Sequence, residues 1–441
     1  MMLDAESVAS HPVRVLLLES GTGPGGSVNF IRDFVLHVDH SSAHVIAGLY
    51  FPNPSKTLEE LRSLGFPVVF FRHTRPVGPK TSAGFAGLFD TRLKSLRKLR
   101  TAATILSRLI RVQLPLTWKV WRFIKREAID VVVLNQDVHF HVPGVLAAKL
   151  AGRPCICRKA GGIGEARRLK RFLNPCVDLF VSISRATETD QRNTPGTRKV
   201  VNIYEGLDLQ RFASLPAKNA MRESLNIPAG KKVVAAITRV EVGKGLPEFI
   251  HMAASVIRRY SDVNFLIVGD EGPDGGALTR QLRDLVHSLN LDEHVIFTGW
   301  REDIPSVMKC VDIFVHCPTT FIEGLARTCL ETMAVGIPAV VSENGGMSDA
   351  VENGITGFVV PPGNIQAMAE SVLKLLQNEA QCREFSKRAR MRVEQFFDAA
   401  QNTRKLQEQI LQHARPVKIL DLRGANIRVS YKSGDVDHGR L

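Results

Sequence analysis

The sequence predicts an α/β chain of two doubly wound parallel-sheet domains facing a central cleft. Three observations carry that expectation. At 441 residues the chain is about three times a typical domain. Short apolar, β-branched runs alternate with helix-like stretches, as in the strand–helix–strand units of a parallel sheet. The alternation stops once, at a polar, Pro-containing break over 214–220, and then restarts.

Strands are expected at 13–18, 45–50, 68–71, 130–134, 177–183 and 200–204 in the first half. In the second half they are expected at 233–238, 264–268, 295–298, 312–315, 338–342 and 357–360. Residues 370–412 have a helical period. The last stretch, 414–441, has no clear period and reads as a poorly ordered tail. The division is a Rossmann-like amino domain over 1–213, a Rossmann-like carboxyl domain over 214–393, a helix at 394–413 returning to the amino domain, and the tail. In open sheets of this kind ligands bind beyond the carboxyl ends of the strands, so chemistry belongs in the loops that follow them.

With 44% hydrophobic and 23% charged residues the composition is that of a globular protein, neither disordered nor membrane-embedded. The formal net charge is +14, which points to an anionic partner. Its distribution is uneven. Between Arg92 and Arg126 there are eleven Lys or Arg and no acid, and between Arg153 and Arg171 seven against the single Glu165. The seven cysteines are scattered with no CxxC pair, and most fall in apolar runs, where a thiol is a small buried hydrophobe. The start of the chain lacks a basic segment ahead of its short apolar run, and no stretch reaches the roughly eighteen apolar residues of a membrane span. A cytoplasmic location is expected.

Three loops stand out. Glu19 to Ser27 is glycine-rich and leads into a helical pattern at Val28, so Gly25 and Gly26 let a ligand approach the backbone at a helix start. After the first strand of the second half, Arg239 and Lys244 lie five apart, with Gly245 opening the next helix; such a pair can converge on a pyrophosphate. Two carboxylates, Glu323 and Glu331, bracket Gly324, Leu325 and Ala326, with Glu323 before a helix and Glu331 two turns into it. Glu323 can accept from sugar hydroxyls while Glu331 reaches a ribose diol.

The stretch from Thr319 to Gly363, TTFIEGLARTCLETMAVGIPAVVSENGGMSDAVENGITGFVVPPG, resembles glycosyltransferase family four, retaining sugar-nucleotide transferases of the GT-B fold. The resemblance rests on Glu323 and Glu331, Ala334 to Val340, Gly345-Gly346, Asp349 and Thr356-Gly357 to Pro361. It extends to Arg239 and Lys244-Gly245, Val268-Gly269-Asp270, Phe297 to Arg301, Gly25-Gly26, Ser182 to Ser184 and Glu205 to Asp208. It implies that Arg239 and Lys244 neutralise a departing nucleoside diphosphate, that Glu323 holds the donor sugar and that Glu331 holds the ribose. Gly324, Leu325, Ala326 and Gly346 would line the sugar and phosphate pocket, and Arg301 the base. No metal and no other cofactor is implied.

Three positions depart from the pattern. Thr238 stands where many members have Gly, and Asp349 where Glu is more usual. In the amino half, where many members have a His facing the donor sugar, the sequence reads Cys157-Arg-Lys-Ala-Gly161, with His139 and His141 nearby.

The two basic stretches fall on the acceptor side. From Arg92 to Arg111, Leu96, Leu99, Ala103, Leu106 and Ile110 share one helical face and Lys94, Arg97, Lys98, Arg108 and Arg111 the opposite one; Pro115 is expected to end that helix. Trp118, Trp121, Phe123 and Ile124 follow among further cations, so 92–126 is expected to meet an anionic membrane surface. Arg158 and Lys159, placed just after a strand, are expected to receive the phosphate of a lipid-linked or glycan acceptor, with His139 beside them. No nucleic-acid module or base-stacking aromatic spacing is present. The resulting expectation is a retaining glycosyltransferase using a UDP- or GDP-sugar. A sugar-nucleotide epimerase of the same fold and a catalytically silent sugar-nucleotide-binding subunit are the alternatives.

Overall fold

A computed structural model describes residues 11–20, 26–51, 56–72, 107, 109–161, 163–212, 218–270 and 276–415. They form two parallel sheets. The first contains β1 (Val13–Glu19), β2 (Ala43–Leu49), β3 (Val68–Phe70), β4 (Val131–Leu134), β5 (Cys155–Lys159), β6 (Leu179–Ser182) and β7 (Val200–Asn202), in the order β3-β2-β1-β4-β5-β6-β7. The second contains β8 (Lys232–Ile237), β9 (Val263–Val268), β10 (Val295–Gly299), β11 (Ile313–His316), β12 (Ala339–Ser342) and β13 (Gly357–Val360), in the order β10-β9-β8-β11-β12-β13. This is the two-Rossmann GT-B arrangement. Each sheet has a hydrophobic core on both faces, which is why its strands read as near-continuous apolar runs rather than alternating ones.

Twelve strands fall on the expected runs with ends moved by two residues or fewer. The thirteenth, β5, ends in the two cations Arg158 and Lys159, which the sequence reading places after a strand; both lie inside it and are buried. Buried carboxylates make this possible. Arg158 pairs with Glu205, and Lys159 pairs with Asp190.

Pro115 begins a helix instead of ending one. A helical turn at Leu109–Gln113 runs into helix Leu114–Arg126, and Pro115 sits in its first turn, where its missing amide has no partner to lose. Leu116, Val120, Phe123 and Ile124 of that helix pack into the amino core. Most of 92–108 and all but two residues of 414–441 lie outside the described residues.

The 370–412 region divides into three helices, Ile365–Gln377, Glu379–Phe396 and Ala399–His413. The chain crosses between the sheets just before the last of them. Leu207 donates 2.7 Å to the Phe397 carbonyl and accepts 3.0 Å from Ala399. A Cβ on Gly206 would lie 2.7 Å from the Ala399 Cα, so this crossing needs a glycine. Leu406 and Ile410 then pack beside Ile31 and Phe34 of helix Gly26–His37.

Candidate active site

In both sheets the strand order reverses at one place, between β1 and β4 and between β8 and β11. Loops leaving neighbouring strands there diverge and open a crevice. Lys244 lies in the loop after β8 and Glu323 in the loop after β11, so both flank the carboxyl-domain crevice. Gly26, which opens the helix after β1, and the segment from Asn135 to His141 after β4 flank the other.

Backbone fit holds the carboxyl-domain loops. Gly245 has φ +80°, and a Cβ there would sit 1.7 Å from the Cys317 carbonyl oxygen. Gly243 accepts from the amides of Thr319 at 2.8 Å and Phe321 at 3.3 Å, tying the lysine loop to the one that carries Glu323. The Gly346 amide donates 3.1 Å to the Glu323 carbonyl, so the Gly345-Gly346 turn supports that loop from below. From the amino domain, the Ala160 carbonyl oxygen lies 2.1 Å from where a Gly324 Cβ would be, which makes Gly324 a point of close contact between the domains.

The electrostatic centre is a pair. Lys244 Nζ is ion-paired with Glu323 Oε1 and lies 3.5 Å over the Phe321 ring centroid. His316 Nε2, at the end of β11, is 3.5 Å from the same oxygen. Burial by itself would raise the Glu323 carboxyl; His316 and Lys244 outweigh it and hold it at about 2. Glu323 is therefore an anion at any physiological pH, an acceptor rather than a donor of hydrogen bonds.

Arg239 does not converge with Lys244: its side chain is 61% exposed and pairs with Glu241 at 3.0 Å. Glu331 lies just over one turn into helix Arg327–Ala334, not two, and its Oε1 accepts 3.1 Å from Arg327 Nε. Burial raises its carboxyl, with Arg327 and Arg211 opposing the shift. Leu325 and Ala326 are buried ahead of that helix. Arg301 donates 2.8 Å to Asp303. Gly26 faces Arg327, 3.9 Å from where its Cβ would be, and Gly25 lies outside the described residues.

On the acceptor side the expectation for Arg158 and Lys159 is overturned: neither is free to receive a phosphate. The Arg158 guanidinium lies 3.6 Å over the Phe30 ring, donates 2.9 Å to Asn135 and pairs with Glu205. Lys159 is fully buried between Asp190 and Asp137, and Lys170 lies 2.6 Å from Asp137. His139 stands at the edge of this cluster, Nε2 3.3 Å from Glu165 and Nδ1 3.6 Å from Asp137. Across the cleft, Asp349 accepts 2.6 Å from the Arg185 amide at the start of helix Arg185–Arg192.

The sequence reading lacks four side chains of the site: His316, Phe321, Arg327 and Asp33, whose carboxylate pairs with Arg327. Arg327 carried a readable signal, since it stands four residues before Glu331 and such pairs share a helix face. His316 ends an apolar strand and reads as core. Among the described residues no group of three or more His, Cys, Asp or Glu could hold a metal ion. The cysteines are all unpaired, and Cys155, Cys157, Cys317 and Cys329 have thiols pushed up by burial, as expected of small buried hydrophobes.

Residues 217–392, which carry the Lys244–Glu323 pair, match the family model described as glycosyl transferases group 1. The carboxyl domain is similar to this glycosyl transferases group 1 family. Over 306 residues the chain is 24% identical to the UDP-Gal:alpha-D-GlcNAc-diphosphoundecaprenol alpha-1,3-galactosyltransferase of Escherichia coli, covering 66% of this chain and 77% of that protein. Over 270 residues it is 28% identical to the GDP-mannose-dependent alpha-(1-6)-phosphatidylinositol monomannoside mannosyltransferase of Mycolicibacterium smegmatis, covering 58% and 69%. In structure it is similar to Anabaena Alr3699/HepE in complex with UDP-glucose, with a TM-score of 0.73 at 22% identity, covering 90% of this chain and 99% of the other. That likeness concerns the fold. The region that matches the family model thus contains the Lys244–Glu323 pair, the Gly345-Gly346 turn and Glu331.

Proposed function

We propose that this protein is a retaining glycosyltransferase that moves a sugar from a UDP- or GDP-sugar to a lipid-linked or polysaccharide acceptor in cell-envelope glycan synthesis. The observation that carries this reading is the buried Lys244–Glu323 pair at the crevice of a domain similar to glycosyl transferases group 1. Relatives that use UDP-galactose and GDP-mannose, with diphosphoundecaprenol-linked and phosphatidylinositol acceptors, support the donor and acceptor classes.

Transfer breaks the bond between the sugar's anomeric carbon and the diphosphate and forms one to an acceptor oxygen, whose proton leaves with the departing phosphate. Negative charge develops on the leaving group, and cations already in place stabilise that state more than the ground state. Lys244 is such a cation, desolvated and held by Glu323. Arg239, exposed on the same loop, joins it when a diphosphate replaces Glu241 as its partner. Glu323, ionised, accepts from the donor sugar's hydroxyls, and Glu331 from the ribose. No metal enters this arrangement.

The protein works at the cytoplasmic face of a membrane. Ile110, Leu114 and Trp118 recur every fourth residue, all exposed, on the helical stretch whose opposite side enters the core. Arg111, Lys119, Arg122, Lys125 and Arg126 accompany them with no acid in the same stretch, a composition suited to an anionic lipid surface. No helix among the described residues is long and apolar enough to cross a membrane.

A thermal-shift panel of sugar nucleotides tests the donor assignment. One UDP- or GDP-sugar is expected to stabilise the protein, by about 2.7 kcal/mol at a hundred times its dissociation constant. No shift with any member of the panel would overturn it.

A further inference from the structure

Arg327 is where the two domains and the donor side of the cleft meet. It opens helix Arg327–Ala334 in the carboxyl domain and is 8% exposed. Its guanidinium is used on three sides. Nε donates 3.1 Å to Glu331, one turn along the same helix. Nη1 donates 3.3 Å to Glu205 and 3.4 Å to the Gly206 carbonyl, both in the amino domain. Nη2 pairs with Asp33 on helix Gly26–His37, also in the amino domain. Asp33 and Glu205 are buried, and each has a second cation: Arg32 Nε donates 2.9 Å to Asp33, and Arg158 pairs with Glu205.

Exposed ion pairs also join the domains, Lys56 with Glu302 among them, and such pairs contribute little. The Arg327 contacts differ because they are desolvated and directional. A planar guanidinium fixes its donors in a fork, so moving either domain breaks directional bonds between buried groups.

We propose that Arg327 is a positioning residue that couples seating of the donor against Glu331 to closure of the two domains. The proposal rests on the functional reading above, in which Glu331 holds the ribose. The carboxylate that receives the ribose is the one Arg327 orients, and Arg327 is fully held when Asp33 and Glu205 are drawn up against it. Donor on Glu331 therefore favours the closed arrangement, and closure favours donor by the same factor. A merely structural network would instead lower stability and leave donor affinity alone.

Asp33→Asn and Arg327→Met in the full chain test this, with donor affinity measured by calorimetry and domain separation by small-angle X-ray scattering. Asp33 lies in the domain opposite the donor pocket, yet Asp33→Asn is expected to weaken donor binding about tenfold. Arg327→Met is expected to weaken it at least as much, and the double variant no further than Arg327→Met alone. Arg327→Lys, which keeps the charge but not the fork, is expected to fall between. Both Asp33→Asn and Arg327→Met are expected to scatter as more open particles. A donor affinity in Asp33→Asn within about twofold of the parent, whatever its melting temperature, would overturn the coupling, and this arm decides if Arg327→Met does not fold. If the parent chain binds no UDP- or GDP-sugar, the functional reading falls, and unchanged scattering in the variants then overturns the closure claim separately.

Discussion

Lys244 and Glu323, 79 residues apart in the chain, are ion-paired in the cleft with the lysine lying over the Phe321 ring. Neither residue comes from a regular element; each sits in a loop that follows a strand at the place where the sheet order reverses. The pair is self-neutralising, so the lysine's charge is held in place largely shielded from solvent. Removing one partner strands the other. Lys244→Met is expected to lower stability by roughly 3 kcal/mol, because Glu323 is then left buried with His316 alone. Urea unfolding checks it, and Glu323→Gln in the Lys244→Met background is expected to restore part of the loss.

The same pair sets a pH dependence. The Glu323 carboxyl is held at about 2 against an ordinary value of 4.5, so it is lower in the folded chain than in the unfolded one. Its contribution to stability is complete above 4.5 and is lost as pH falls from there towards 2. Urea unfolding between these limits is expected to show the parent losing stability more steeply than Glu323→Gln. Parallel curves would mean that the pair does not hold the carboxylate as described.

Gly324 has no room for a side chain, because the obstacle at 2.1 Å is the Ala160 carbonyl, part of the amino-domain backbone. Gly324→Ala is expected to force the two loops apart by about the size of a methyl group. An ångström of misplacement can cost a hundredfold in turnover, and a drop of about that size in kcat/KM is expected. Steady-state kinetics on the purified variant supply the value.

Membrane contact is expected to depend on Leu114 and Trp118, both exposed, the latter 4.8 Å from the Arg122 guanidinium across its ring. Leu114→Ser with Trp118→Ser is expected to abolish flotation with acidic vesicles at low salt while leaving the melting temperature unchanged. Equal recovery of parent and variant, or equal recovery of the parent with acidic and neutral lipid, would exclude this surface.

Much of the fold is legible in the sequence because a parallel strand covered on both faces is an apolar run, and twelve such runs mark strands. β5 is harder to read, since two of its five residues are cations whose burial depends on Glu205 and Asp190 arriving from elsewhere. Lys244, Glu323 and Glu331 could be found from their spacing and context. What Arg327 does could not, because its amino-domain partners are 122 and 294 residues away in the chain. Arg158 and Lys159 mislead for the same reason: a cluster of like charges in a sequence says nothing of the carboxylates the fold brings to it. Pro115 is ambiguous in the sequence because proline both ends helices and starts them.

The most direct test of the central claim is nucleotide release and product formation with the preferred sugar nucleotide and a lipid-linked acceptor, compared between the parent chain, Glu323→Ala and Lys244→Ala. Loss of transfer in both variants, with circular dichroism confirming that each remains folded, is the predicted result. Full transfer activity in either folded variant would contradict the assignment of this cleft as the catalytic site.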